Sequence, residues 1–133
     1  MKVVFADSVY FFALLNPRDR VHPRAKRYAA DSSNPILTTA WVLTEVADGL
    51  SDRARRGTVI QLFEILQAAP DVEIIPPSQE LFHRGLELYA QRLDKDWSLT
   101  DCISFVVMEQ RGLTEALTAD HHFKQAGFAT LLS

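Results

Sequence analysis

The chain has 133 residues, 47% of them hydrophobic, which supplies apolar mass for one core and none for a second, so residues 1–133 are expected to form a single domain. Seventeen acidic against fourteen basic residues give a formal net charge of −3, which excludes the overall basic excess of a general DNA-binding module. No apolar run reaches the length of a membrane span, and Asp7 interrupts the apolar N-terminus before it could act as a signal-peptide core, so a cytoplasmic protein without a membrane part is expected.

Lys2 to Ala6 is a β-branched and aromatic run ended by Asp7, which suits the first central strand of a parallel sheet with the acid at its carboxyl tip. Ser8 to Leu15 is apolar all round and closed by Asn16-Pro17, a short buried helix. Asp19 to Ala30 reads as an amphipathic helix, Asp31 to Pro35 as a turn, and Ile36 to Thr38 as the second strand. Thr38 or Thr39 caps the next helix, which runs through Ala40 to Ala47 and loses its pattern between Gly49 and Asp52. Glu45 lies on it. Its helical neighbours at three and four positions are Trp41, Val42, Asp48 and Gly49, none of them a cation.

Arg55 to Ala69 carries Val59, Leu62, Phe63 and Leu66 on one stripe, a helix stopped by Pro70. Val72 to Ile75 follows as a strand, and Ser78 caps a helix that frays at Leu93-Asp94-Lys95-Asp96. Ser98 then caps a helix that is apolar around nearly its whole circumference, with Asp101 in its first turn. Ser98-x-x-Asp101 is close to a capping box, the structural reading of this acid. Against it, Asp is shorter than the Glu or Gln that normally reaches back, and positions 97, 98, 104 and 105 supply no cation, so Asp101 reads as an unpaired acid that wants a metal or a substrate. Gly112 ends this helix, and Ala116 to Thr118 is a strand with Asp120 just beyond its carboxyl end. His121 to Ala126 makes a helical turn ended by Gly127, and Ala129 to Leu132 is an edge strand.

Strands alternating with helices call for an α/β fold, a three-layer α/β/α sandwich around a central, mainly parallel sheet. In such a sheet Asp7 and Asp120 lie at carboxyl ends of strands, while Glu45 and Asp101 lie early in helices that begin at the same edge. Four acids then share one cleft. Clustered carboxylates repel one another and lose hydration, and a hard divalent cation, Mg²⁺ or Mn²⁺, removes both objections. The Cys and His spacing of a zinc site is absent: Cys102 is a lone thiol in an apolar helix, read as a small buried hydrophobe. His121 and His122 are adjacent, so on a helix they should diverge, as surface residues or phosphate contacts. Eight of the fourteen basic residues lie between Arg18 and Arg56, either on solvated helix faces or beside the cleft, where they would hold a nucleic-acid backbone. An ion beside a phosphodiester activates water and neutralises charge on the phosphoryl oxygens, so the chemistry indicated is hydrolytic phosphodiester cleavage.

Asp7 after the first strand, Glu45 on a mid-chain helix, Ser98-Leu99-Thr100-Asp101 opening another, and Leu117-Thr118-Ala119-Asp120-His121-His122-Phe123 together resemble the acidic quartet of PIN domains. The resemblance covers essentially the whole chain and is strongest to VapC-like ribonucleases of toxin–antitoxin modules. It implies an endoribonuclease dependent on Mg²⁺ or Mn²⁺, a homodimer, an RNA substrate and an antitoxin protein as partner. Asp7, Glu45, Asp101 and Asp120 carry over as metal ligands and activators of the attacking water, and Thr118 as a hydroxyl that supports them. Asp96 has no counterpart and stays outside the site. Of the rival readings, a haloacid-dehalogenase-type phosphoryl-transfer protein needs a second Asp two positions after the first, where this chain has Val9. A non-catalytic RNA-binding or assembly module is the other, and the full set of four acids argues against it.

Overall fold

The structure is a computed structural model that describes residues 2–133. Among these residues the strands are β1 (Val4–Ala6), β2 (Ile36–Thr39), β3 (Val72–Ile75), β4 (Glu115–Leu117) and β5 (Ala129–Thr130), all parallel, in the order β3-β2-β1-β4-β5. The helices are α1 (Ser8–Leu15), α2 (His22–Asp31), α3 (Ala40–Gly49), α4 (Arg56–Ala68), α5 (Gln79–Gln91), α6 (Leu99–Gln110) and α7 (His121–Gln125). The expected sandwich is the fold observed. Val4, Phe5 and Ala6 are consecutive and all fully buried, which a strand achieves only when both faces of its sheet are covered.

The chain goes from β1 outward to β2 and β3, then returns past β1 to lay down β4 and β5 on the other side. The carboxyl ends of β1 and β4 therefore flank the point where strand order reverses, where the crevice of such a sheet opens. Ala6 pairs with Leu117 across this line, so Asp7 and the Thr118-Ala119-Asp120 segment emerge side by side.

Helix starts follow their caps. Thr39 Oγ1 accepts from Val42 N at 3.1 Å, Ser78 Oγ from Leu81 N at 3.2 Å, and Ser98 Oγ from Asp101 N at 3.0 Å. At the far end of α6, Gly112 takes a φ of +67°, and Leu113 N donates to Met108 O at 2.8 Å while Gly112 N donates to Glu109 O at 3.1 Å, closing the helix with a left-handed glycine.

Several boundaries differ from expectation. β1 begins at Val4, because Lys2 is exposed and paired with Glu115. α2 begins at His22 and not Asp19, whose side chain instead accepts from Val21 N at 2.8 Å to form a turn, with Pro23 placed in the first helical turn. α2 runs on through Asp31, so its following turn starts at Ser32. β5 covers only Ala129–Thr130, although Leu131 N and Leu132 N still donate to Ala116 O and Thr118 O.

Two contacts set the position of α6, the helix that carries Asp101. A Cβ at Gly85 of α5 would lie 2.3 Å from Ile103 Cγ1, so the two helices meet at the one residue without a side chain. On another side, the Phe105 ring meets Trp97 at 5.0 Å and Phe123 at 4.9 Å, both edge to face, which locks α6 against α7.

Candidate metal centre

Asp7 follows β1 directly and is 2% exposed. Its Oδ2 accepts the Thr118 hydroxyl at 2.9 Å, and the same hydroxyl oxygen accepts from Asp120 N at 3.0 Å, so one buried side chain ties the ends of β1 and β4 together. Burial pushes the Asp7 carboxyl up to about 7; the Thr118 bond opposes this, and the charges of Asp101 and Glu45 add to it. Glu45 sits half-buried on α3, and the hydroxyl of Ser8 donates to its Oε1.

Asp101 departs from expectation in two respects. Its Oδ2 accepts from Ser98 N at 3.2 Å, completing the capping box that the shortness of Asp seemed to forbid. It is also not unpaired, because Nδ1 of His122 lies 3.0 Å from the same oxygen. Its own helix supplies no such partner; this one comes from α7, 21 residues away. Burial still raises the Asp101 carboxyl above the ordinary carboxylate range, with Asp120 adding to the rise and the Ser98 and His122 bonds opposing it.

Asp120 is the N-cap of α7, its Oδ1 accepting from His122 N at 2.9 Å. The two histidines do not diverge as expected. Their rings lie 4.4 Å apart, and the donor atoms of Asp120, His121 and His122 all fall within 4.8 Å of one another, the one such group of three among the described residues. The four carboxylates are more widely spread, but they form one electrostatic unit: Asp7 feels Asp101 and Glu45, and Asp101 feels Asp120.

No Lys or Arg among the described residues forms an ion pair with any of the four acids. A buried carboxyl held near 7 beside two further acids is an arrangement that a hard divalent cation stabilises, and an oxygen-rich donor set fits one. His122 and Ser8 are the members that sequence reasoning missed. His122 had a findable signal, since an Asp N-cap at 120 places residue 122 in the first turn, at the mouth of the cleft. Ser8 had none, because its partner lies 37 residues away.

Outside the centre, Asp96 is exposed and lines a groove with Tyr89, Arg92, Lys95 and Trp97, apart from the four acids. The basic residues divide. Arg18 and Arg55 line one groove between the end of α1 and the start of α4. Arg24 donates to Leu132 O at 3.0 Å and shares a second groove with Arg27; none of the four acids lines either groove. Cys102 is fully buried.

A family model described as PIN domain matches residues 4–129. The chain is 27% identical over 126 residues to the 23S rRNA-specific endonuclease VapC20 of Mycobacterium tuberculosis, covering 95% of each protein. A crystal structure of that toxin, described as cleaving the sarcin–ricin loop, superposes with a TM-score of 0.85 at 25% identity over 95% of this chain and 96% of that one. VapBC2 of Rickettsia felis, solved bound to a DNA fragment from its promoter, matches at a TM-score of 0.66 and 15% identity over 96% of each chain and so speaks for the fold alone.

Proposed function

This chain belongs to the PIN domain family, and we propose that it is a metal-dependent endoribonuclease, the toxin of a toxin–antitoxin module, in which Asp7, Glu45, Asp101 and Asp120 hold Mg²⁺ or Mn²⁺. The observation that carries the reading is the convergence of four acids from four different elements on one edge of the sheet, with a buried Asp7 held near 7 and, among the described residues, no Lys or Arg paired with any of them. The similarity to a 23S rRNA-specific endonuclease favours a structured ribosomal RNA as substrate.

A divalent ion in this cleft supplies an activated water and neutralises charge on the phosphoryl oxygens. The chain's own part is to fix the donors. Thr118 sets the plane of Asp7, Ser8 that of Glu45, and the Ser98 amide with His122 that of Asp101. Each carboxylate has one oxygen held by the protein, which reduces the freedom lost when the group engages an ion or orients a water. Arg18 is a cation available to an RNA backbone, and Arg55 beside it is paired with Asp52 at 3.3 Å.

The reading includes an antitoxin partner, a cytoplasmic setting and a homodimer. Among the described residues no helix is long and apolar enough to cross a membrane. Phe82, Leu86, Tyr89 and Leu93, at spacings of four, three and four, form an exposed apolar stripe along and just beyond α5, which supports association. Light scattering should then report twice the chain mass, reduced to one chain by Leu86→Glu; a monomer at every concentration contradicts the dimer. The activity itself is tested by incubating purified protein with ribosomal RNA and mapping new 5′ ends. Cleavage at discrete positions with Mg²⁺ or Mn²⁺, abolished by chelator, is expected, and intact RNA under all metal conditions contradicts the reading.

A further inference from the structure

A groove of about 730 Å³ lies at the turn from α5 into α6. None of the four acids lines it, but Ser98 does, and Ser98 is the residue whose N–H and Oγ hold Asp101, at 3.2 and 3.0 Å. The groove therefore shares a wall with the turn that carries Asp101. Arg92 is fixed within it. Its Cζ stands 5.0 Å over the centroid of the Trp97 ring, and its Nε and Nη2 donate to Asp94 Oδ1 and Oδ2 at 3.0 and 3.1 Å. Trp97 is itself anchored, its Nε1 donating to Gln125 Oε1 at 2.9 Å and its ring meeting Phe105 edge to face. A guanidinium held on one face and one edge is a flat cation already in place, and 41% of the Arg92 side chain stays exposed. Leu99 adds apolar surface beside it, with Tyr89 and Leu93, which also end the apolar stripe of α5, so the groove opens at the rim of that face. Two cations, Arg92 and Lys95, stand among two acids, Asp94 and Asp96, which leaves the groove without net charge and suits an uncharged base rather than a phosphate.

We propose that this groove takes an unstacked base of the RNA substrate, laid on the Arg92 guanidinium, beside the phosphodiester at the acid centre. The inference rests on the ribonuclease reading above and adds to it a subsite that ties binding to a base displaced from its stack. Bases of RNA loops and single strands are held in this way, stacked on aromatic rings or guanidinium planes and bonded along their edges. Lys95 supplies a donor and Asp96 an acceptor for such an edge.

The test is a cycle between one base and one side chain. Its probe is a fragment of ribosomal RNA spanning a position cut in the mapping above, made intact and with an abasic nucleotide at each place around the cut in turn. Binding is measured in chelator, so that nothing is cleaved. At one position, loss of the base should weaken binding by the parent about tenfold. Arg92→Ala should weaken the intact fragment by about the same factor and that abasic fragment not at all. Arg92→Lys keeps the charge and a partner for Asp94 but lacks the plane, so it should behave as Arg92→Ala does, which guards against a loop disturbed by the larger change. Intact and abasic fragments weakened equally, no weakening of either, or parent-like coupling in Arg92→Lys overturns the subsite; if the parent still cleaves ribosomal RNA, the ribonuclease reading stands. Ribosomal RNA left intact with every metal overturns both.

Discussion

Asp7 combines near-complete burial with two neighbouring acids, and the sign of its effect on stability follows from that combination. Its folded pKa, about 7, lies above the value of 3.8 for a free Asp side chain, so the folded protein holds this proton more tightly than the unfolded chain does. The resulting destabilisation is absent below pH 4, grows as pH rises toward 7, and is constant above it. A rise of this size is worth about 4 kcal/mol. Without metal, the protein should therefore lose stability between pH 5 and pH 8, and Asp7→Asn, which removes the charge and keeps an acceptor for Thr118, should be more stable than the parent at pH 8 by about 1–3 kcal/mol, with a smaller gain at pH 5. Melts of both proteins in chelator at the two pH values measure this, and an Asp7→Asn variant less stable than the parent at pH 8 contradicts the assignment of Asp7 as a frustrated acid. Glu45 and Asp101 stood out in the sequence because neither has a Lys or Arg three or four positions away on its helix, and Asp7 and Asp120 because each follows a strand. Their partners did not. Ser8 with Glu45 and His122 with Asp101 meet only through the tertiary fold. The capping bond of Asp101 was misjudged because at the third helical position the backbone itself brings the carboxylate within reach of Ser98 N.

Among the elements, α6 bears most on the centre, since its first turn carries Asp101 and its body rests on α5. The absence of a side chain at Gly85 permits that contact, whereas Gly57 in the first turn of α4 has no atom within 4 Å of where a Cβ would lie. Both are helical glycines, so propensity alone would make either change to Ala stabilising by about 1 kcal/mol. The structure separates them. Gly57→Ala should gain about 0.5–1 kcal/mol, and Gly85→Ala should lose about 1–3 kcal/mol as Ile103 is displaced. Urea unfolding of the two variants checks the pair; equal effects would show that α5 and α6 are not held at this contact. Caps and stops made most of these elements readable. β3 lies where its β-branched run predicted, between Pro70 and Pro76-Pro77, and Thr39, Ser78 and Ser98 cap the helices assigned to them. The start of α2 was less readable, because the Asp19 side chain serves a turn in place of a helix cap.

At the scale of the molecule, the strand order β3-β2-β1-β4-β5 decides where chemistry can occur. Alternating strands and helices predicted a parallel sheet, but no local pattern states which strands are neighbours. Order emerges only when apolar faces are matched across the whole chain, and it is this order that sets β1 beside β4 and brings Asp7 to Thr118 and Asp120. The central claim is that these residues, with Glu45 and Asp101, act as one ion-dependent centre for RNA cleavage. The most direct measurement is the single-turnover cleavage rate of ribosomal RNA at saturating Mn²⁺ for the parent and for Asp7→Asn, Glu45→Gln, Asp101→Asn and Asp120→Asn, each first shown to be folded. Because groups that act as a unit fail together, every variant should fall by about 100-fold or more, and the double variant Asp7→Asn/Asp101→Asn should be little worse than either single change. Parent-like rates in Asp7→Asn and Asp101→Asn, or cleavage that continues undiminished in chelator, would contradict it.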